Sequence, residues 1–157
     1  MPRPPRVGPV GALMDEYERA VGELTRILDG MTDEEYERIR DTETKDEGCR
    51  SIQTILTHVI GAGYGYAGMY RDHWGMERIP RWSETVSRTV AAPKLREMLG
   101  YTVATLEGRW NMSEDEFNAI RIESRWGQTY DFEQLFEHAI VHVLRHRRQI
   151  ERFLGRK

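Results

Sequence analysis

Between Phe132 and Phe153, apolar residues return every three or four positions: Phe132, Leu135, Phe136, Ala139, Ile140, Val143, Ile150 and Phe153. That is the period of an α-helix, so this stretch folds as an amphipathic helix whose apolar stripe needs a covering surface. Asp131, with Gln134 three positions on, supplies the capping signal at its start. After position 9 the chain holds only two prolines, Pro80 and Pro93, so other long stretches are equally free to be helical.

Three further segments carry the same period. The first runs from Val10 to Gly30, with Leu13, Tyr17, Ala20, Val21, Leu24 and Leu28 as its stripe. The second begins behind Ser51, a good N-cap, and ends near Trp74 and Gly75. It carries Ile52, Ile55, Leu56, Val59, Ile60, Gly63, Ala67 and Tyr70 on one side. The third has Pro93 in its first turn and turns Leu95, Met98, Leu99, Thr102 and Leu106 inward. Capping boxes at Thr32/Glu35 and Ser113/Glu116 predict short extra turns, the first over 33–38. The stretch RDTETKDEG reads as a loop and residues 76–92 as a long connection. Ile120, Ile122, Ser124 and Trp126 alternate before Gly127, the pattern of a short extended piece. Four amphipathic helices in 157 residues predict an all-α protein, a four-helix bundle forming one domain over 10–157 behind a flexible, Pro-rich tail over 1–9.

Four glycines, Gly61, Gly63, Gly65 and Gly68, interrupt the second helix, where each costs ~1 kcal/mol relative to Ala. Close approach of a neighbouring helix or of a ligand is the expected compensation. The net charge of −3 gives no bias toward nucleic acid or an anionic membrane. No apolar run approaches the ~20 residues of a membrane span, and the first residues lack the apolar core of a signal peptide. The one cysteine, Cys49, excludes an intrachain disulfide and suits a reducing cytoplasm. It precedes the Ser51 cap, where a helix N-terminus favours thiolate.

The five histidines are His58, His73, His138, His142 and His146. The last three stand four residues apart in FEHAIVHVLRHRRQI, and imidazoles at that spacing stack along one side of a helix and close on one cation. Stepping ~100° per residue from the centre of the apolar stripe, His146 falls ~50° away, His142 ~90° and His138 ~130°. His142 and His146 therefore sit at the core edge, and His138 tends toward solvent or an interface. His58, on the flank of the second helix's stripe, is the natural third ligand. His73 lies at a helix end, where the macrodipole favours a cation without any metal. Spacing alone leaves a second reading open, in which the triplet is part of a basic solvated face with Arg145, Arg147 and Arg148. The patterns HExxH, Glu-x-x-His, GxSxG and the phosphate-binding loop are all absent. Tyr64, Tyr66, Tyr70 and Trp74 make the second helix aromatic at its end, as core packing or as a lining of the site.

SIQTILTHVIGAGYGYAGMY, followed much later by FEHAIVHVLRHRRQI, resembles the DinB/YfiT-like superfamily of metal-dependent proteins. The resemblance implies an up-down-down-up four-helix bundle, often a homodimer, with one divalent metal, zinc or nickel foremost. Carried over residue by residue, the metal ligands are His58, His142 and His146, with His138 as an outer or alternative ligand. Relatives commonly read HRGQI where this chain has Arg148 in place of the glycine.

Three imidazoles leave a coordination position open, the layout of a catalytic rather than a structural site. The superfamily is similar in fold to enzymes that use low-molecular-weight thiols, among them mycothiol-dependent maleylpyruvate isomerase and bacillithiol S-transferases. The resemblance thus implies a metal-dependent thiol S-transferase or isomerase acting on a small molecule, with Arg145 or Arg147 meeting an anionic group of the thiol. Metal-assisted hydrolysis with the same ligands is the first alternative, for which Glu133 and Glu137 supply no well-placed base. A non-catalytic metal- or ligand-binding dimer is the second. Neither nucleic acid nor membrane is an expected partner.

Overall fold

Each apolar stripe becomes a long helix in the computed structural model, which describes residues 4–156. In chain order the elements are α1 (Gly8–Arg26), α2 (Asp33–Glu37), a 3-10 turn (Glu47–Cys49), α3 (Ile52–His73), α4 (Arg88–Thr105), α5 (Glu114–Ala119), strands β1 (Ile122–Glu123) and β2 (Thr129–Tyr130), and α6 (Phe132–Phe153). The protein is mostly helical, as the periodicity requires, and its small sheet is one antiparallel pair with Ile122 opposite Tyr130. α3 packs against α4 and α6, and α1 packs against the same two helices. Their stripes meet in one core, in which Met14, Leu24, Ile55, Leu56, Ile60, Leu95, Met98, Phe132 and Phe136 are almost fully buried. Burying side chains of this size contributes roughly 1.5–3 kcal/mol each.

The predicted capping boxes form, and the predicted N-cap Ser51 forms one as well, with Thr54. Side-chain oxygens of Thr32, Ser51, Ser113 and Asp131 each accept the backbone N–H three residues on, and the partner side chain returns a bond to the cap's own N–H. They fix where α3 and α6, the two helices that carry the histidines, begin.

The third long helix differs from expectation. α4 starts at Arg88, five residues before Pro93, so this proline stands in the second turn rather than the first. It removes the bond that would run to the Thr89 carbonyl. What holds the earlier start is an anchor at Val86. Its N–H donates to Thr57 Oγ1 (3.1 Å), and its carbonyl accepts from Tyr36 Oη (3.1 Å) and Gln53 Nε2 (3.4 Å). Arg88 then pairs with Asp33 at 2.7 Å. The connection before α4 is thus extended chain fastened to α2 and α3, not free loop. Near its other end, Arg71 donates to the Glu77 carbonyl (2.7 Å) and the Ile79 N–H donates to Tyr101 Oη (3.2 Å).

α1 begins two residues earlier than its stripe suggested and ends at Arg26, short of Gly30. Of the segment read as a flexible tail, residues 1–3 lie outside the described residues. Arg6, within it, pairs with Asp15 (2.5 Å) and Glu18 (2.6 Å) and lies 5.3 Å from the ring centre of Trp110.

The glycines of α3 divide by neighbour. A Cβ on Gly63 would lie 2.5 Å from the Met98 sulfur, so here the glycine lets α4 approach; on Gly68 it would meet the Arg78 guanidinium at 2.9 Å, whereas at Gly65 nothing lies within 4 Å. Gly65→Ala should therefore raise stability by up to ~1 kcal/mol through helix propensity. Gly63→Ala should lower it by about 1–2 kcal/mol, because overpacking against buried Met98 outweighs the same gain. Urea unfolding of the two variants checks the opposite signs, and equal shifts would mean that α4 gives way freely.

Candidate metal centre

His58 leaves the second turn of α3 beside buried Ile55 and Val59, and His142 and His146 leave successive turns of α6 beside buried Ala139, Val143 and Ile150. Because α3 and α6 pack together, these three imidazoles converge. One ring nitrogen from each lies within 4.8 Å of the other two. His58 Nε2 and His142 Nε2 are 3.0 Å apart, and the ring centres are separated by 4.9, 5.0 and 4.5 Å around the triangle. His142 and His146 are only 5% and 4% exposed.

Burial makes the cluster neutral, outweighing the charge of Asp46, which raises His58 and His146 but forms no ion pair with them among the described residues. Desolvation lowers the pKa of His142 to about 3, helped by the neighbouring His146 and His58 and by Arg145. Desolvation also lowers His146 to about 4, against a hydrogen bond to Gln149 and the charge of Asp46, which raise it. His58 moves the same way, again chiefly by burial. Neutral imidazoles are the metal-binding form. Gln149 Oε1 lies 3.1 Å from His146 Nδ1 and is an acceptor only, so Nδ1 carries the proton. The lone pair is therefore on Nε2, and this buried atom has no hydrogen-bond partner among the described residues.

An orphaned Nε2 beside two Nε2 atoms 3.0 Å apart is the donor set of a cation site. On a tetrahedral ion with bonds of ~2.0–2.1 Å, ligand nitrogens lie ~3.3 Å apart, so small ring rotations suffice to close it. The residues fit a divalent metal held by nitrogen alone. Gln149 fixes the tautomer of one ligand, the usual task of the group behind a metal-bound histidine.

His58 and His142 also line a cavity of about 610 Å³, walled by α3, the connection before α4 and the turn of the hairpin between β1 and β2. Tyr66 lines the same cavity, its ring centre 5.7 Å from that of His142. A smaller recess of about 380 Å³ opens on the other side of His142, lined by His138, Glu137 and Arg145 among others.

His138 is outside the triangle. It stacks on Trp126 at 5.6 Å and meets Tyr66 edge-on at 5.4 Å, and its Nδ1 lies 3.4 Å from Tyr130 Oη. His73 is exposed at the end of α3, against Trp74. Tyr70 and Trp74 are packing residues around Phe132, while Tyr64 and Tyr66 reach the cavity. Arg147 is ion-paired with Glu23 and Glu151; Arg145 has no ion pair among the described residues and acts on all four nearby histidines. Arg148 is exposed, pairs with Glu151 at 3.5 Å and lines neither cavity. Cys49 is buried, and its thiol is pushed up by desolvation and by Asp46, whose Oδ2 accepts from it at 3.4 Å, so the helix N-terminus does not make it a thiolate. Two participants escaped the sequence reading. Gln149 had a readable signal, its i,i+3 position relative to His146. The connection before α4 had none, because its placement depends on the Val86 anchor.

The family model described as the DinB superfamily matches residues 16–150, a span that contains all three clustered histidines. No curated protein and no solved structure matches the chain.

Burial of neutral imidazoles has a pH consequence. His142 and His146 take up protons near 6.5 when unfolded but only near 3 and 4 when folded. Between these values the unfolded chain binds more protons, so the stability of metal-free protein is complete above pH ~6.5 and is lost as pH falls toward 4. Urea midpoints measured from pH 7 to pH 4 should fall steeply, and His142→Leu/His146→Leu should flatten the curve. A wild-type curve as flat as the variant's would show that the rings are not desolvated.

Proposed function

The chain belongs to the DinB superfamily, and from that premise and the three-imidazole cluster we propose a metal-dependent enzyme that uses a low-molecular-weight thiol, as an S-transferase or isomerase. The observation that carries this reading is the cluster itself: three neutral nitrogens from two helices, two of whose rings line a cavity large enough for a small molecule. His58, His142 and His146 are the ligands in this proposal, with zinc or nickel as the metal and His138 in an outer position. A divalent cation there supplies a Lewis acid that favours the thiolate form of a bound thiol.

The chain's own residues do the rest. The three rings present lone pairs while Gln149 holds the proton of His146 on the far nitrogen. Tyr66 and the surrounding aromatic rings exclude water from one side of the cluster. The lining residues of the cavity include no aspartate or glutamate. That favours a thiol, whose proton is already labile near pH 8.5, over water, whose activation gains most from a carboxylate base.

The same proposal takes the four long helices as an up-down-down-up bundle, supported by pairings that close a ring through α1, α6, α3 and α4. It places the protein in the cytoplasm as a homodimer, on the family resemblance and the solitary buried cysteine. No helix among the described residues is long and apolar enough to cross a membrane.

Metal content is the first test. Protein purified without chelator should hold about one zinc or nickel per chain, and saturation at ~100 times Kd should add about 2.7 kcal/mol of stability. His58→Ala and His142→Ala should lose both the metal and the gain, and His138→Ala should keep them. Equal loss in all three variants would overturn the ligand assignment. Turnover of electrophilic substrates should then require a cellular thiol; turnover without one would indicate hydrolysis, and no metal in any preparation would indicate a non-catalytic bundle.

A further inference from the structure

The large cavity beside the cluster has an uneven chemistry. Three arginines line it, Arg78, Arg81 and Arg125, and no acidic side chain does. Arg78 is ion-paired with Asp72 and lies along the backbone of Gly68. Arg81 and Arg125 form no ion pair or hydrogen bond with any described residue, and they come from separate segments, the connection before α4 and the hairpin turn. Each of the two is adjacent in sequence to a tryptophan that also lines the cavity, Arg81 to Trp82 and Arg125 to Trp126.

The tryptophans are placed as walls rather than as core. Trp126 is 54% exposed, unusual for the largest apolar side chain. One face of its indole stacks on His138, and its Nε1 donates to Tyr130 Oη at 3.1 Å, so the ring is held in orientation. Trp82 is held by the fastened connection, with its ring beside Gly61, where even a Cβ would lie only 3.5 Å from it. Solvated arginines on loops are common, and a single exposed tryptophan needs no explanation. Two separate Trp–Arg pairs lining one acid-free cavity are a different matter. Flat apolar surfaces beside solvent-exposed guanidinium forks that no described side chain engages match a flat molecule that carries a carboxylate or similar oxyanion.

We propose that this cavity takes an aromatic or conjugated organic anion, its flat body between Trp82 and Trp126 and its charged group on Arg81 and Arg125. This names the substrate class of the site described above and rests on that reading only for the chemistry, since the binding itself needs no metal. Charge selection here belongs to two exposed groups, so it weakens with ionic strength.

Calorimetric titration of metal-free protein with 2-naphthoate, its uncharged isostere 2-naphthamide, and octanoate tests it. 2-Naphthoate should bind at least tenfold more tightly than the amide and severalfold more tightly than octanoate. Arg81→Gln/Arg125→Gln should erase the preference for naphthoate over amide through loss of naphthoate affinity; Trp126→Ala should weaken both aromatic ligands. Circular dichroism on each variant separates lost binding from lost fold, and these side chains are outside the core. Equal affinity of acid and amide for the wild type, absence of binding by either, or a preference that survives the double substitution would each overturn the proposal. Because the titration is run on metal-free protein, the two readings stay apart: a preference for naphthoate there supports the arginine site even if no metal is ever found, and its absence in folded, metal-free protein would overturn it.

Discussion

The site depends on desolvation that outweighs the groups opposing it, the hydrogen bond to Gln149 and the charge of Asp46. An imidazole buried in contact with a carboxylate stays charged as an ion pair; three imidazoles buried beside one another near Arg145 are driven to the neutral form, because desolvation outweighs the pull of Asp46 on His58 and His146. Folding brings these rings together because the stripes of α3 and α6 are continuous through His58 on one side and through His142 and His146 on the other. The hydrophobic core therefore sets the protonation state of the cluster, and the cluster offers lone pairs without having to shed protons. Packing and coordination chemistry are coupled through the same few helical turns.

That coupling explains why the core edge, rather than its centre or the surface, carries the donors. A histidine at the centre would have no access to a small molecule, and one on the surface would titrate in the ordinary range and bind whatever solvent offers. His142 borders both the large cavity and the smaller recess while remaining almost fully buried. Gln149 adds the one feature that packing cannot supply, a fixed tautomer.

Helical period and spacing made the four long helices, their caps and the inward pair His142 and His146 legible in the sequence, because each depends on residues close together in the chain. The angular order of His146, His142 and His138 around α6 follows from geometry alone, and the burial of these residues agrees with it. His58 was legible as the remaining histidine on an apolar flank, and the family resemblance pointed to the same residue. The start of α4 departs from the sequence expectation for a physical reason: Pro93 is the strongest local signal for a first turn, but three hydrogen bonds between the Val86 backbone and side chains 29 to 50 residues away decide the matter. The ion pair of Arg147 is hidden from the sequence because its partner Glu23 lies on a helix more than a hundred residues earlier. Long-range ties of this kind have no periodicity to betray them.

The connection before α4 is fastened through Glu77 and Ile79 at one end and Val86 at the other, and the stretch between has no comparable tie to the helices. Four residues of that stretch face the cavity, and none belongs to the core cluster apart from the partly buried Trp82. Its sequence is therefore free to drift without loosening the scaffold or disturbing the histidines. Proteins sharing this architecture would diversify most readily there, acquiring new ligand preferences while the ion-binding turns stay as they are.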